Sequence, residues 1–124
     1  MIAGKVIGLE KALKAIRRQG VKGQKAVEIG MKKGGLFLQR ESMMLVPVEF
    51  GVLRLSAFTR SEGTLKDPVV RVGYTAGYAL FVHENLNARH TVGQAKFLEQ
   101  PARQKNTQIK NIIVTTAKKE MLKP

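Results

Sequence analysis

The chain has 124 residues, a mass of 13.7 kDa and 44 % hydrophobic content, which suits one domain spanning residues 1–124 with a modest core and excludes wholesale disorder. Cysteine is absent, which excludes a disulfide scaffold, thiolate metal sites and cysteine nucleophiles and fits a reducing cytoplasm. Twenty-two Lys and Arg against nine Asp and Glu give a net charge of +13 and a pI near 10.4. The excess is uneven. Residues 1–40 carry ten basic and two acidic side chains, a net of +8, residues 41–97 are nearly neutral at +1, and residues 98–124 return to +4. Cationic ends of this kind call for an anionic neighbour: nucleic acid, a membrane surface or an acidic protein.

The start, Met1 to Val6, lacks the apolar run of an export signal. The longest apolar runs, Met43 to Val46 and Tyr78 to Val82, fall far short of the ~20 residues of a spanning helix, so a soluble protein made in the cytoplasm, without membrane contact, is expected. Residues 9–18 read as an amphipathic helix, with Leu9, Leu13 and Ile16 on one side and basic residues on the other. Gly20 and Gly23 break that pattern. A longer helix is expected from about Gln24 to Leu45, with stripes through Val27, Met31, Leu38 and Leu45 and through Ala26, Gly30, Phe37 and Met44. Gly34 and Gly35 in its middle cost about 1 kcal/mol each relative to alanine, so they mark either a kink or a close approach of a neighbour. Pro47 ends the helix.

Partial alternation predicts a strand over Val52 to Arg60, a turn at Ser61 to Thr64, a second strand over Pro68 to Gly73 and a second turn at Tyr74 to Gly77. Tyr78 to His83 is either a strand or a single helical turn, and Asn85 to Gln94 has loop composition. A final helix is expected from about Lys96 to Leu122, with Leu98, Ala102, Ile109, Ile112 and Thr116 near one face and Pro101 tolerated in its first turn. The order predicts an α+β fold, with long N-terminal helices and a C-terminal helix packed on a small, mainly antiparallel sheet.

Candidate chemistry is sparse. His83, Glu84 and His90 form the one cluster of titratable side chains, yet neighbours on a strand face opposite ways, so His83 and Glu84 do not converge on one proton path. Their spacing matches no common metal motif, and Gly30 to Gly35 lacks the order of a phosphate-binding loop. No catalytic residue, metal or cofactor is therefore assigned. Lys11, Lys14, Arg17, Arg18, Lys22 and Lys25 line the first helical region and are the candidates for contact with an anionic partner. With nucleic acid such contact would be to phosphates, since the chain has no Trp and only two Tyr and five Phe for stacking on bases, and the partner could equally be an acidic protein ring.

Four segments stand in a recognisable order: Val46-Pro47-Val48-Glu49-Phe50-Gly51-Val52-Leu53-Arg54-Leu55-Ser56, then Val72-Gly73-Tyr74 before Tyr78-Ala79-Leu80-Phe81-Val82-His83-Glu84, then Lys96-Phe97-Leu98-Glu99-Gln100-Pro101-Ala102. This order resembles the small neck and tail-completion proteins of long-tailed bacteriophages, over about residues 20–110. Glu49-Phe50 stands where that family prefers aspartate-threonine, Glu84 comes one place late with His83 in its usual position, and Asn85-Leu86 replaces a glycine-threonine turn. The resemblance implies a virion structural protein of the head–tail junction. Its copies would form a ring that joins the DNA-filled capsid to the tail, beside other neck, connector or tail proteins and in possible non-specific contact with packaged DNA. It implies binding without catalysis. Phe50, Leu86, Asn87, Arg89 and His90 are the candidate interface residues on that reading. The alternative is a small basic nucleic-acid-binding protein acting alone, with a ribonuclease-like enzyme a distant third.

Overall fold

The computed structural model describes residues 2–4, 10–47, 50–76 and 96–124. The elements run β1 (Ile2–Gly4), α1 (Glu10–Arg17), α2 (Val21–Leu45), α3 (Gly51–Leu55), β2 (Ala57–Gly63), β3 (Pro68–Tyr74), α4 (Glu99–Gln104) and α5 (Asn106–Met121). The strands form one antiparallel sheet in the order β1-β3-β2, with Ala57 opposite Tyr74 and Ile2 opposite the same Tyr74 on its other edge. The expected α+β arrangement is present. Helix α2 is the one laid on the sheet, while α1 and α5 pack on α2 and on each other.

Helix α2 can serve two neighbours because half of its eight buried positions, Gly23, Gly30, Gly34 and Gly35, are glycines. A β-carbon on Gly30 would lie 2.5 Å from the Ile113 carbonyl oxygen of α5, and one on Gly34 would lie 2.6 Å from the Ile113 Cγ1. On the sheet side, a β-carbon on Gly35 would meet Val70 and Thr59 methyls at 2.8 and 2.9 Å. Gly34 and Gly35 therefore mark close approach, one to a helix and one to the sheet, within an unbroken helix. Gly23 does not interrupt the chain either. It lies buried in the first turn of α2, where a β-carbon would overlap the Ile16 carbonyl oxygen, and the break falls at Gly20, whose φ of 96° suits glycine alone.

The core joins Leu13 and Ile16 of α1, Ala26, Val27 and Leu38 of α2, Val72 and Tyr74 of β3 and Ile109, Ile113 and Ala117 of α5, with Phe97 and Leu98 sealed in just ahead of α4. The expected α2 stripe through Met44 is corrected: Met44 is exposed, and Gly34, Gly35 and Ser42 occupy the buried side instead. Ser42 and Tyr74 hydroxyls bond at 2.7 Å within the core, and the Tyr74 ring meets Phe97 edge to face at 5.0 Å. Thr59 donates to the Gln39 amide oxygen at 2.7 Å, a further polar tie between sheet and helix.

Pro47 acts as expected, holding Val46 in an extended conformation (ψ 131°) that stops α2. The expected strand over Val52 to Arg60 is corrected in its first half. Residues Gly51–Leu55 form one helical turn and the strand begins at Ala57. Ser56 makes the switch: its hydroxyl donates to the Leu53 carbonyl at 2.7 Å and accepts from the Ala76 amide at 3.2 Å, while Arg54 Nη2 caps the Val46 carbonyl at 2.9 Å. The strand then continues through Ser61 to Gly63, where a turn was expected, and the reversal falls at Thr64 to Asp67. Tyr74 likewise belongs to β3. The final helix is two helices, broken at Lys105 (φ −99°, ψ 14°), with Pro101 in the first turn of α4 and Ile113, not Ile112, on the fully buried face of α5.

Candidate functional site

Helix α1 is built to show cations. Leu13 and Ile16 turn into the core, so helical spacing carries Lys11, Lys14 and Arg18 to the opposite, exposed face, with Arg17 half-buried at its flank. Lys14 and Arg17 lie in the last turn, where the helix dipole presents its negative end and offsets part of their mutual repulsion. The reversal between β2 and β3 brings Lys66 and Asp67 to the same place. Lys14, Arg17, Arg18, Lys66 and Asp67 together line a concave surface of about 440 Å³. Four cations face one carboxylate there. Among the described residues, none of Lys11, Lys14, Arg17, Arg18 and Lys66 has a carboxylate within ion-pair distance.

The carboxylates of the described chain are largely taken elsewhere. Glu62 receives Arg60 at 2.9 Å and Arg71 at 3.0 Å on the outer face of the sheet, and these cations, Arg71 foremost, hold its carboxyl below the usual range. Glu41 faces Arg40, Glu99 takes Arg103 and Lys96, and Glu120 takes Lys123. The free positive charge of the described residues therefore lies on α1, on the Lys66 turn, on the outer side of α2 and along α5, where Lys110, Lys118 and Lys119 have no carboxylate within ion-pair distance.

The six expected anion contacts separate into three places. Lys14, Arg17 and Arg18 converge with Lys66, and Lys11 continues the same face one turn earlier. Lys22 is tied to the last residues of the sequence, its ammonium donating to the Lys123 carbonyl. Lys25 is exposed on the outer side of α2, apart from the α1 cluster. Lys66 was not among the candidates. Only its position in a tight strand reversal, in a chain already rich in unpaired cations, hinted at it.

Of the expected interface residues, Phe50 is half-buried and packs partly on the core. The apolar surface of its segment is offered by the next turn instead, where Val52 is 71 % and Leu55 is 83 % exposed. Leu86, Asn87, Arg89 and His90 lie outside the described residues, as do His83, Glu84 and the expected loop over 85–95. Among the described residues, no three His, Cys, Asp or Glu side chains are grouped to hold a metal, and no helix is long and apolar enough to cross a membrane. Comparison of the chain with models of protein families, with curated proteins and with solved structures finds no match.

Proposed function

We propose that this protein is a structural component of the bacteriophage neck or head–tail junction, working by assembly into a ring of identical subunits and without catalysis. The observation that carries the assembly reading is the pair Val52 and Leu55, two large aliphatic side chains left in solvent on the helical turn that comes after Pro47. Burying both on a neighbouring subunit would recover about 1.5–3 kcal/mol each, whereas nothing within the described chain uses them. The order of the Pro47, Tyr74 and Phe97 segments supplies the phage reading. The cationic concavity of α1 and Lys66 would then face DNA phosphates in the channel or an acidic neighbouring ring.

Light scattering on the purified chain and on Val52→Ser/Leu55→Ser tests the assembly. A multimer that falls to monomer in the variant supports the ring. A wild-type chain that stays monomeric at high concentration, and is missing from the necks of particles viewed by electron microscopy, overturns it.

One observation favours a second reading, a basic nucleic-acid-binding protein acting alone. Lys66 completes a four-cation cluster from two distant parts of the chain, a convergence that a merely solvated helix face does not need. A monomer that binds duplex DNA with a steep salt dependence supports that reading.

A further inference from the structure

A second cationic surface, on the outer side of α2, differs in chemistry from the first. Helical spacing places Lys25, Lys32, Lys33 and Arg40 on this side, all exposed. Between them runs an apolar ridge: Ile29 is 45 %, Leu36 is 50 % and Met44 is 57 % exposed. Ile29 and Leu36 are one heptad apart, and Met44 stands two turns later. Lys33 also lines a groove of about 450 Å³ between α2 and α5, beside Ile112, Thr115, Lys119 and Lys123. Ridge and groove thus form one surface with apolar contacts at helical spacing and lysines on its borders.

We propose that this surface docks an acidic amphipathic helix of a different protein. Charge complementarity decides the occupant. A second copy brings the same lysines, and with Glu41, Glu62, Glu99 and Glu120 engaged by basic side chains it offers, among the described residues, Glu28 and Asp67, too few carboxylates to balance the exposed cations of α2. Nucleic acid matches the lysines but has no aliphatic face to lay on Ile29 and Leu36. A helix with leucines at heptad spacing flanked by glutamates matches both, as in helix-in-groove recognition. The α1 cluster lacks such a ridge, since no large aliphatic side chain on its described residues is exposed. The inference rests on α2 and α5 alone and does not depend on the phage reading.

The test is calorimetric titration of the full chain with a synthetic glutamate-rich peptide carrying leucines at heptad spacing. The comparisons are the same peptide with serine for leucine, polyglutamate, and a short DNA duplex. The amphipathic peptide should bind, and loss of its leucines should weaken binding at least about tenfold, as removal of apolar anchors does. Ile29→Ser/Leu36→Ser should weaken it similarly, with an unchanged circular dichroism spectrum because both positions face solvent. Lys14→Glu/Arg18→Glu should leave peptide affinity within about threefold while lowering DNA affinity, because the two surfaces are separate. No peptide binding, equal binding of polyglutamate, or indifference to Ile29→Ser/Leu36→Ser overturns the proposal. Preference of the α2 surface for duplex DNA, lost in Lys32→Gln/Lys33→Gln, assigns it to nucleic acid instead and overturns it equally.

Discussion

The hydroxyls of Ser42 and Tyr74 meet at 2.7 Å where α2 crosses the end of β3, with the tyrosine only 1 % exposed. Burial pushes the Tyr74 phenol up to about 12, against smaller opposing effects of the Ser42 bond and the Arg54 charge. The neutral phenol is the form the fold accepts. Its contribution is therefore complete below the unfolded value near 10 and is lost as pH rises from about 10 through about 12. Tyr74→Phe should cost about 1 kcal/mol at neutral pH by leaving the Ser42 hydroxyl without its partner. The gap between wild type and Tyr74→Phe should then close as melts are repeated up to pH 11. Lysine deprotonation acts on both proteins and cancels in the difference. A gap that stays constant with pH shows that Tyr74 ionises freely in the folded state.

Gly30→Ala should destabilise more than Gly34→Ala. The obstacle at Gly30 is the backbone of α5, which moves only if the two helices separate, whereas at Gly34 it is the Ile113 side chain. Overpacking of about 1–3 kcal/mol at Gly30 outweighs the helix-propensity gain of about 1 kcal/mol. At Gly34, Ile113→Ala removes both the Cγ1 and the Cδ1 in the way, so it should cost less beside Gly34→Ala than it does alone. Urea denaturation of the four variants ranks them. Gly35→Leu, pressed on Thr59, Val70 and Val72, should prevent folding.

Neutralising the α1 cluster should change DNA binding without touching the core. Each of Lys14→Gln, Arg18→Gln and Lys66→Gln should lower the slope of log affinity against log salt by about 0.9 if that side chain meets a phosphate of duplex DNA. An unchanged slope for Lys66→Gln alone would separate the turn from the α1 face. If the proposed neck role holds, Lys11→Glu/Lys14→Glu/Arg18→Glu should reduce particle yield in an infected host while the isolated chain keeps its melting temperature.

Glu62→Gln probes the outer face of the sheet, where Arg60 and Arg71 share one carboxylate. Because the folded pKa is lowered, the charge contributes above the unfolded value and is lost as pH falls through the folded value. The variant should therefore be slightly less stable than wild type at neutral pH and equal to it in acid. Salt should shrink the difference, as for any exposed pair.

Local signals carried much of this fold. Pro47, the Leu13–Ile16 stripe and the β3 run each announce their structure through neighbours in sequence. The residues from Val52 to Arg60 did not, because five apolar positions in nine fit either period. The choice fell to Ser56, whose hydroxyl closes a helical turn on Leu53 and holds the Ala76 amide across the fold. β1 is three residues whose partners, Val72 to Tyr74, lie about seventy positions away. The cationic face of α1 was legible from spacing. Its completion by Lys66 was not, since that depends on where the β2–β3 reversal is carried in space. The exposure of Val52 and Leu55 was hidden for the same reason as α3 itself.

The glycines of α2 also govern when that helix can exist. Gly23, Gly30, Gly34 and Gly35 each subtract about 1 kcal/mol from its intrinsic helicity, which leaves the isolated segment mostly uncoiled. During synthesis it emerges well before α5, the helix whose backbone it must cradle. The longest element of the protein is thus a consequence of docking, and it should acquire its shape together with α5 in one cooperative step. A chain shortened ahead of Asn106 should lose the α2 signal in circular dichroism along with that of the residues removed, giving a deficit far larger than the length of the missing helix.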